Sequence, residues 1–220
     1  MKNFRECAEH YLHQWYEQDH FFHYHFSRGH ITCELLADVC SKYQVNRTIP
    51  RKDGITGAVR LQPFAGMLCS YARRRISEKN VVHEVNDALG RMKKAYGKSF
   101  LSAITKALWM VKRDPVVIYD SLARAGLRHY KLDPGDSDYE VYVDSWREFR
   151  NSSNTKDQLD EAVRWLADSP CARCLMERKR ISRQNFRNIV DSRWFRARTI
   201  DMYLLFVTRE KPARSAVAAA

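Results

Sequence analysis

The sequence predicts a mainly α-helical protein, and three observations carry that prediction. The chain has 220 residues but only eight glycines and six prolines, so punctuation is sparse and the elements between breaks are long. Apolar and aromatic residues recur at helical spacing through most of those stretches, which favours helices over a sandwich or barrel. Hydrophobic residues make up 45% and charged residues 29%, ordinary values for a globular chain long enough to bury a core without disulfides.

Taken in order, the elements are as follows. Residues 2–26 place aromatic and apolar side chains at helical intervals and predict an amphipathic helix. Residues 30–45 predict a second helix, with Thr32 as its N-cap. Two prolines and two glycines between Asn46 and Pro63 mark a loop with a short extended piece, and helix resumes through Phe64–Ile76. From Asn86 to Lys112 the periodicity is strongest, with Leu101, Ile104, Leu108 and Val111 on one stripe. Gly97 divides this stretch into two helices, and Arg113-Asp114-Pro115 stops the second. The apolar run Val116–Tyr119 leads to Asp120, the expected cap of a new helix. Residues 131–157, acidic and turn-rich at both ends, predict an excursion around one short helix; helix returns from Gln158. The expected organisation is one helical domain over 1–212, or two closely packed halves with the active site between them, and a disordered tail over 213–220.

Charge narrows the function. Lys and Arg number 38 against 26 acids, a net charge of +12 and a pI near 9.5. Such a surplus favours polyanionic partners, nucleic acid first, because each phosphate neutralised releases counterions. A basic surface that serves only solubility is the alternative. The polar N-terminus reads as no secretory signal, and no apolar run reaches the length of a membrane span. The expectation is a cytosolic monomer with its six cysteines reduced and no membrane partner.

The pair that suggests chemistry is Lys106, within a largely apolar helix, and Asp120, fourteen residues later at a helix start. Partial desolvation among Ile104, Leu108, Trp109 and Met110 favours the neutral amine, the nucleophilic form of lysine. Backbone N–H groups and the positive helix end favour a carboxylate at Asp120. The structural alternatives are a lysine that snorkels to water and an aspartate that only caps.

The stretch from Ser99 to Leu127 (SFLSAITKALWMVKRDPVVIYDSLARAGL) resembles the core of the helix-hairpin-helix DNA glycosylase superfamily, nearest its 8-oxoguanine glycosylase-like branch. The later SRWFRARTIDMYLLFV (192–207) is similar to a closing helix of small members, with its Trp-Phe, Arg and Asp-x-Tyr-Leu. Together these cover about a quarter of the chain. The resemblance implies a helical fold of two packed halves, with Lys106 on the family lysine and Asp120 on the family aspartate. It implies DNA as partner, double-stranded with one base flipped out or single-stranded, and no cofactor. The excised base would be a damaged or modified one, including a modified base of phage or foreign DNA excised in antiviral defence. Trp109 and Tyr119 are the candidate base-stacking residues, with core packing the expected fate of at least one. In place of the family's Leu-Pro-Gly-Val-Gly hairpin this chain has Tyr96-Gly97-Lys98-Ser99, and its lysine–aspartate spacing is shorter.

Other signals are weaker. Lys93, Lys94 and Lys98, and Arg73 and Arg74 with Arg75 and Lys79, are candidates for phosphate contacts or for solvated helix faces. From Arg173 to Arg198 nine Lys or Arg stand against two acids, several at helical spacing. Cys171-x-x-Cys174 has metal-ligand spacing but lacks a second ligand pair, and the iron–sulfur spacing of some relatives is absent, so no metal is expected. Six of the eight histidines fall in the first thirty residues, where surface or core roles are expected.

Overall fold

The computed structural model describes residues 3–50 and 57–209, and every regular element in them is helical. In chain order these are α1 (Phe4–Gln14), a π-helical turn (Trp15–Asp19), α2 (His20–Phe26), α3 (Cys33–Lys42) and a 3-10 turn (Gly57–Leu61). Then follow α4 (Gln62–Ala72), α5 (Val81–Tyr96), α6 (Leu101–Val111), α7 (Ser121–His129) and α8 (Tyr139–Asn151). The last are α9 (Ser153–Ala167), α10 (Pro170–Lys179), α11 (Arg183–Val190) and α12 (Arg193–Arg209). The mainly α class is therefore observed. The chain divides into two compact units, one of Met1–His13, Asp120–Asp136 and Val141–Ala220, the other of Gln14–Tyr119 and Ser137–Glu140.

The Gln14–Tyr119 unit is built around α6. Helices α2, α3, α4 and α5 all pack on it, and every residue from Ala103 to Val111 is buried. A helix buried all round has no wet face to keep polar, which is why its sequence is almost wholly apolar. Gly97 ends α5 in the left-handed region at φ 70°, with its N–H on the Lys93 carbonyl at 2.8 Å. This αL cap divides residues 86–112 as the glycine predicts. α5 begins earlier than expected, at Val81, because Val81, Val85, Ala88 and Met92 form its buried stripe.

In the other unit the central element is α12, where Trp194, Phe195, Ile200 and Leu204 are buried on successive turns. α7 lies so close to it that a Cβ at Gly126 would sit 2.6 Å from the Leu204 carbonyl oxygen. Caps follow one rule: Thr32, Ser152, Ser169 and Ser182 each accept the N–H three residues on.

Two expectations need correction. Residues 131–157 are not an excursion around one short helix. They hold the whole of α8, with Tyr139, Tyr142, Val143, Trp146 and Phe149 buried along it, and the start of α9. The acids Asp136 and Asp138 just before α8, and Glu140, Asp144 and Glu148 on its wet side, obscure that stripe in the sequence. The loop from Asn46 closes with a 3-10 turn, and none of its described residues is a strand. Residues 51–56 and the expected disordered tail over 213–220 lie outside the described residues.

Gly126→Ala should destabilise the fold by about 1–3 kcal/mol, since the backbones of α7 and α12 must part. Urea unfolding measures it; an unchanged midpoint would contradict the close approach.

Candidate active site

Lys106 occupies the middle of α6 and is 9% exposed, at the margin of the burial that encloses its neighbours. One residue earlier, the buried Thr105 hydroxyl donates to the Leu101 carbonyl at 3.0 Å and accepts the Tyr119 N–H at 3.0 Å. The extended run Val116–Tyr119 has no helix or strand of its own to satisfy its backbone. Tyr139 holds its other end: the phenol donates to the Val117 carbonyl at 2.9 Å and accepts the Val117 N–H at 3.2 Å. The run that ends at Tyr119 is thus fixed on the turn of α6 that bears Lys106.

Asp120 is the next residue, and it opens α7 as a true N-cap. Its backbone is extended, its Oδ1 accepts the Leu122 N–H at 2.9 Å, and its carbonyl accepts the Arg124 N–H. The side chain is half-buried. In the same unit lies a group that the motif reading singled out without a role. Asp201, on α12, accepts the Trp146 indole N–H at 2.9 Å and pairs with Arg198 at 2.8 Å. Arg198 is buried too and lies over the Tyr11 ring. Burial pushes the Asp201 carboxyl up to about 6; Arg198 and the hydrogen bonds pull it down, and the Asp120 carboxylate pushes it up again. Asp120 therefore opens its helix within electrostatic reach of a second, fully buried acid.

Comparison with known protein families, characterised proteins and solved structures returned no match. The reading of the site rests on its own residues.

The other candidates divide by burial. Trp109 is fully buried and Tyr119 nearly so, which makes Trp109 a core residue of the Gln14–Tyr119 unit. Arg73, Lys93, Lys94 and Lys98 are exposed. Arg74 is not a free cation: it bonds Glu84 and Asp87, each at 2.9 Å, and stacks on Tyr71. Its charge is largely spent within the fold. Cys171 Sγ lies 3.0 Å from His13 Nε2, and burial, then Glu9, pushes the thiol up to about 12. Among the described residues no group of three His, Cys, Asp or Glu is set to hold a metal ion, and no helix is long and apolar enough to cross a membrane. Of the N-terminal histidines, His23 bonds the Met110 carbonyl at 2.8 Å and is pushed down to about 4 by burial and Arg113. It is a core fastening of α2 to α6.

Thr105, Tyr139, Trp146 and Asp201 escaped the sequence reading as site supports. A threonine inside an apolar helix and an aspartate inside another were the available signals, since each must find a partner when buried.

The sign of the Asp201 linkage is testable. Its folded value lies above the ordinary carboxylate value of about 3.9, so between those values the folded state holds a proton that the unfolded chain has lost. Stability linked to Asp201 is fully present below about pH 4 and is lost as pH rises through about 6. The melting temperature of wild type should fall relative to that of Asp201→Asn as pH rises across this range. A wild type that gains on the variant with rising pH would mean that Arg198 outweighs burial.

Proposed function

We propose that this chain is a DNA glycosylase of the helix-hairpin-helix kind, excising a damaged or modified base with Lys106 as nucleophile and Asp120 as the stabilising carboxylate. The observation that carries the reading is Lys106 itself: a long cationic side chain in the middle of a helix buried from Ala103 to Val111. A lysine so placed, at the edge of an otherwise apolar helix, is a candidate for chemical use. The bond between Tyr119 and Thr105 supports it, because the residue before Asp120 is fastened beside the lysine-bearing turn.

The chemistry follows in balanced steps. The target nucleotide leaves the stack, at a cost of roughly a few kcal/mol. As the bond from C1′ to the base breaks, its electron pair leaves with the base, which takes up a proton, and positive charge grows on the sugar. The Asp120 carboxylate stabilises that charge, as a carboxylate does in glycoside hydrolysis. The neutral Lys106 amine adds to C1′, the sugar ring opens, and a protonated imine joins Nζ to the sugar. Loss of a proton from C2′ then expels the 3′ phosphate by β-elimination. Lys93, Lys94 and Lys98, exposed around the Gly97 turn that precedes α6, are suited to the phosphate backbone.

Borohydride trapping tests this on oligonucleotides with damaged bases and on modified genomic DNAs. Hydride reduces the imine, so wild type should form a covalent protein–DNA adduct and Lys106→Ala none. Asp120→Asn should slow base release roughly a hundredfold or more. If no substrate gives an adduct or an abasic site, while Lys106→Ala keeps salt-dependent binding, the chain is instead a non-catalytic DNA- or RNA-binding module.

A further inference from the structure

The turn between α10 and α11 is densely basic, and among the described residues it is one of three places, with Gln44 and Lys131, where a residue other than glycine is left-handed. α10 ends in a Schellman motif: the Arg180 N–H bonds the Glu177 carbonyl at 3.2 Å and the Ile181 N–H bonds the Met176 carbonyl at 2.9 Å. The residue that must turn left-handed in this motif is ordinarily glycine. Here it is Arg180, at φ 53°. Ser182 then caps α11, accepting the Asn185 N–H at 3.2 Å.

Around this turn the cations gather. Arg178 and Lys179 are the last-turn cations of α10, Arg180 is the tip, and Arg183 and Arg187 follow one helical turn apart on α11. All five are exposed. Arg183 pairs with the exposed Asp168, and Glu177 and Asp191 are the acids within the segment. No carboxylate among the described residues pairs with Arg178, Lys179, Arg180 or Arg187.

Two cations in the last turn of a helix are ordinary, since they complement its carbonyl end. An arginine in the left-handed position is not. It strains the backbone where glycine would not, and its exposed side chain has no ion pair with a described carboxylate to offset that strain. Backbone outliers of this kind mark functional positions when the side chain is needed where it stands. A guanidinium at the tip of a turn, with cations on both flanks, has the chemistry to grip phosphates of a strand without regard to sequence.

We infer that the α10–α11 turn is a second DNA-backbone contact, with Arg180 at its tip and Arg178 and Lys179 beside it. This rests on the proposed DNA partner but not on the lysine chemistry. The probe is a labelled duplex of random sequence, with affinity measured by anisotropy across salt concentrations. Each lost phosphate contact should lower the slope of log K against log salt by about 0.9, and affinity near 0.15 M salt by roughly fivefold. Arg180→Gly is the discriminating variant. Its melting temperature should equal or exceed that of wild type, because the backbone strain is relieved, while its slope falls by about one. Arg178→Gln/Lys179→Gln/Arg180→Gly should lose about three such contacts and roughly two orders of magnitude in affinity.

Borohydride trapping of the same variants separates the two readings. Variants whose slope and affinity match those of a wild type that binds DNA and forms the adduct would overturn this inference alone. A wild type that binds no duplex would overturn the DNA partner with it. Binding of the wild type to anionic vesicles but not to the duplex, weakened by the triple variant, would assign the turn to a lipid surface and overturn the inference.

Discussion

The hydrogen bond from the Tyr119 N–H to the Thr105 hydroxyl settles more of this structure than its size suggests. A buried extended segment has no regular partners, so each N–H in it must be met by some group nearby or the fold carries the desolvation cost of about 1–3 kcal/mol. Thr105 meets this need because a helical threonine can donate to a carbonyl of the preceding turn and still accept with its lone pairs. Tyr139 does the same for Val117 with one phenol, as donor and acceptor. Between them the run from Val116 to Tyr119 has a fixed register. A slip of one residue would put the Tyr119 or Ser121 side chain at the start of α7 in place of Asp120.

Each unit is organised around a helix buried on nearly every side, and the buried charges Lys106, Arg198 and Asp201 sit on those helices. On α12 the problem is solved internally: Asp201 and Arg198 pair, and Trp146 adds an indole N–H. Burial still pushes the Asp201 carboxyl up, so the pair is held in place by its surroundings and does not by itself drive folding. On α6 the charge lies at the edge of burial, 9% exposed, within reach of solvent and of anything that approaches the margin. A fully enclosed lysine would be mute and a fully exposed one an ordinary surface cation. At the margin a lysine stays open to an approaching group.

The fold was legible where periodicity and punctuation agree. Gly97, Asp114-Pro115 and the caps at Thr32 and Asp120 each impose a local geometry that tertiary packing had no reason to override. α8 was not legible because its buried stripe is aromatic and its wet face acidic, so a segment dense in Asp and Glu looked like a turn-rich excursion. The π-helical turn at Trp15–Asp19 had no local signal. It ends in a buried Asp19, which accepts from Tyr43 at 2.8 Å and from Gln14 at 3.2 Å. For the candidate site, Lys106 and Asp120 stood out as charges in apolar surroundings. Their supports did not, because Thr105, Tyr139 and Asp201 acquire meaning only from partners remote in sequence. Arg74 shows the reverse: a run of three arginines promised a phosphate contact, and the fold turned the middle one toward Glu84 and Asp87.

The turns before α6 and α11, one in each unit, share a local grammar. α5 ends with Lys93 and Lys94 in its last turn, a left-handed residue follows, and α6 begins; α10 ends with Arg178 and Lys179, a left-handed residue follows, and α11 begins. Such a turn brings a carbonyl-rich helix end beside the amide-rich start of the next helix. An approaching phosphate is attracted by the second and repelled by the first. Cations in the last turn offset that repulsion, so the whole turn becomes cationic. The two turns differ at the left-handed residue. Gly97 relaxes the backbone and places no charge at the tip, leaving the cations to the helix before it and to Lys98 after it. Arg180 accepts the strained backbone and sets a guanidinium at the tip. If the proposed function holds, the first arrangement suits a turn whose helix goes on to carry Lys106, where the close approach of a strand must not be obstructed by a side chain. The second suits a turn whose task ends with the grip.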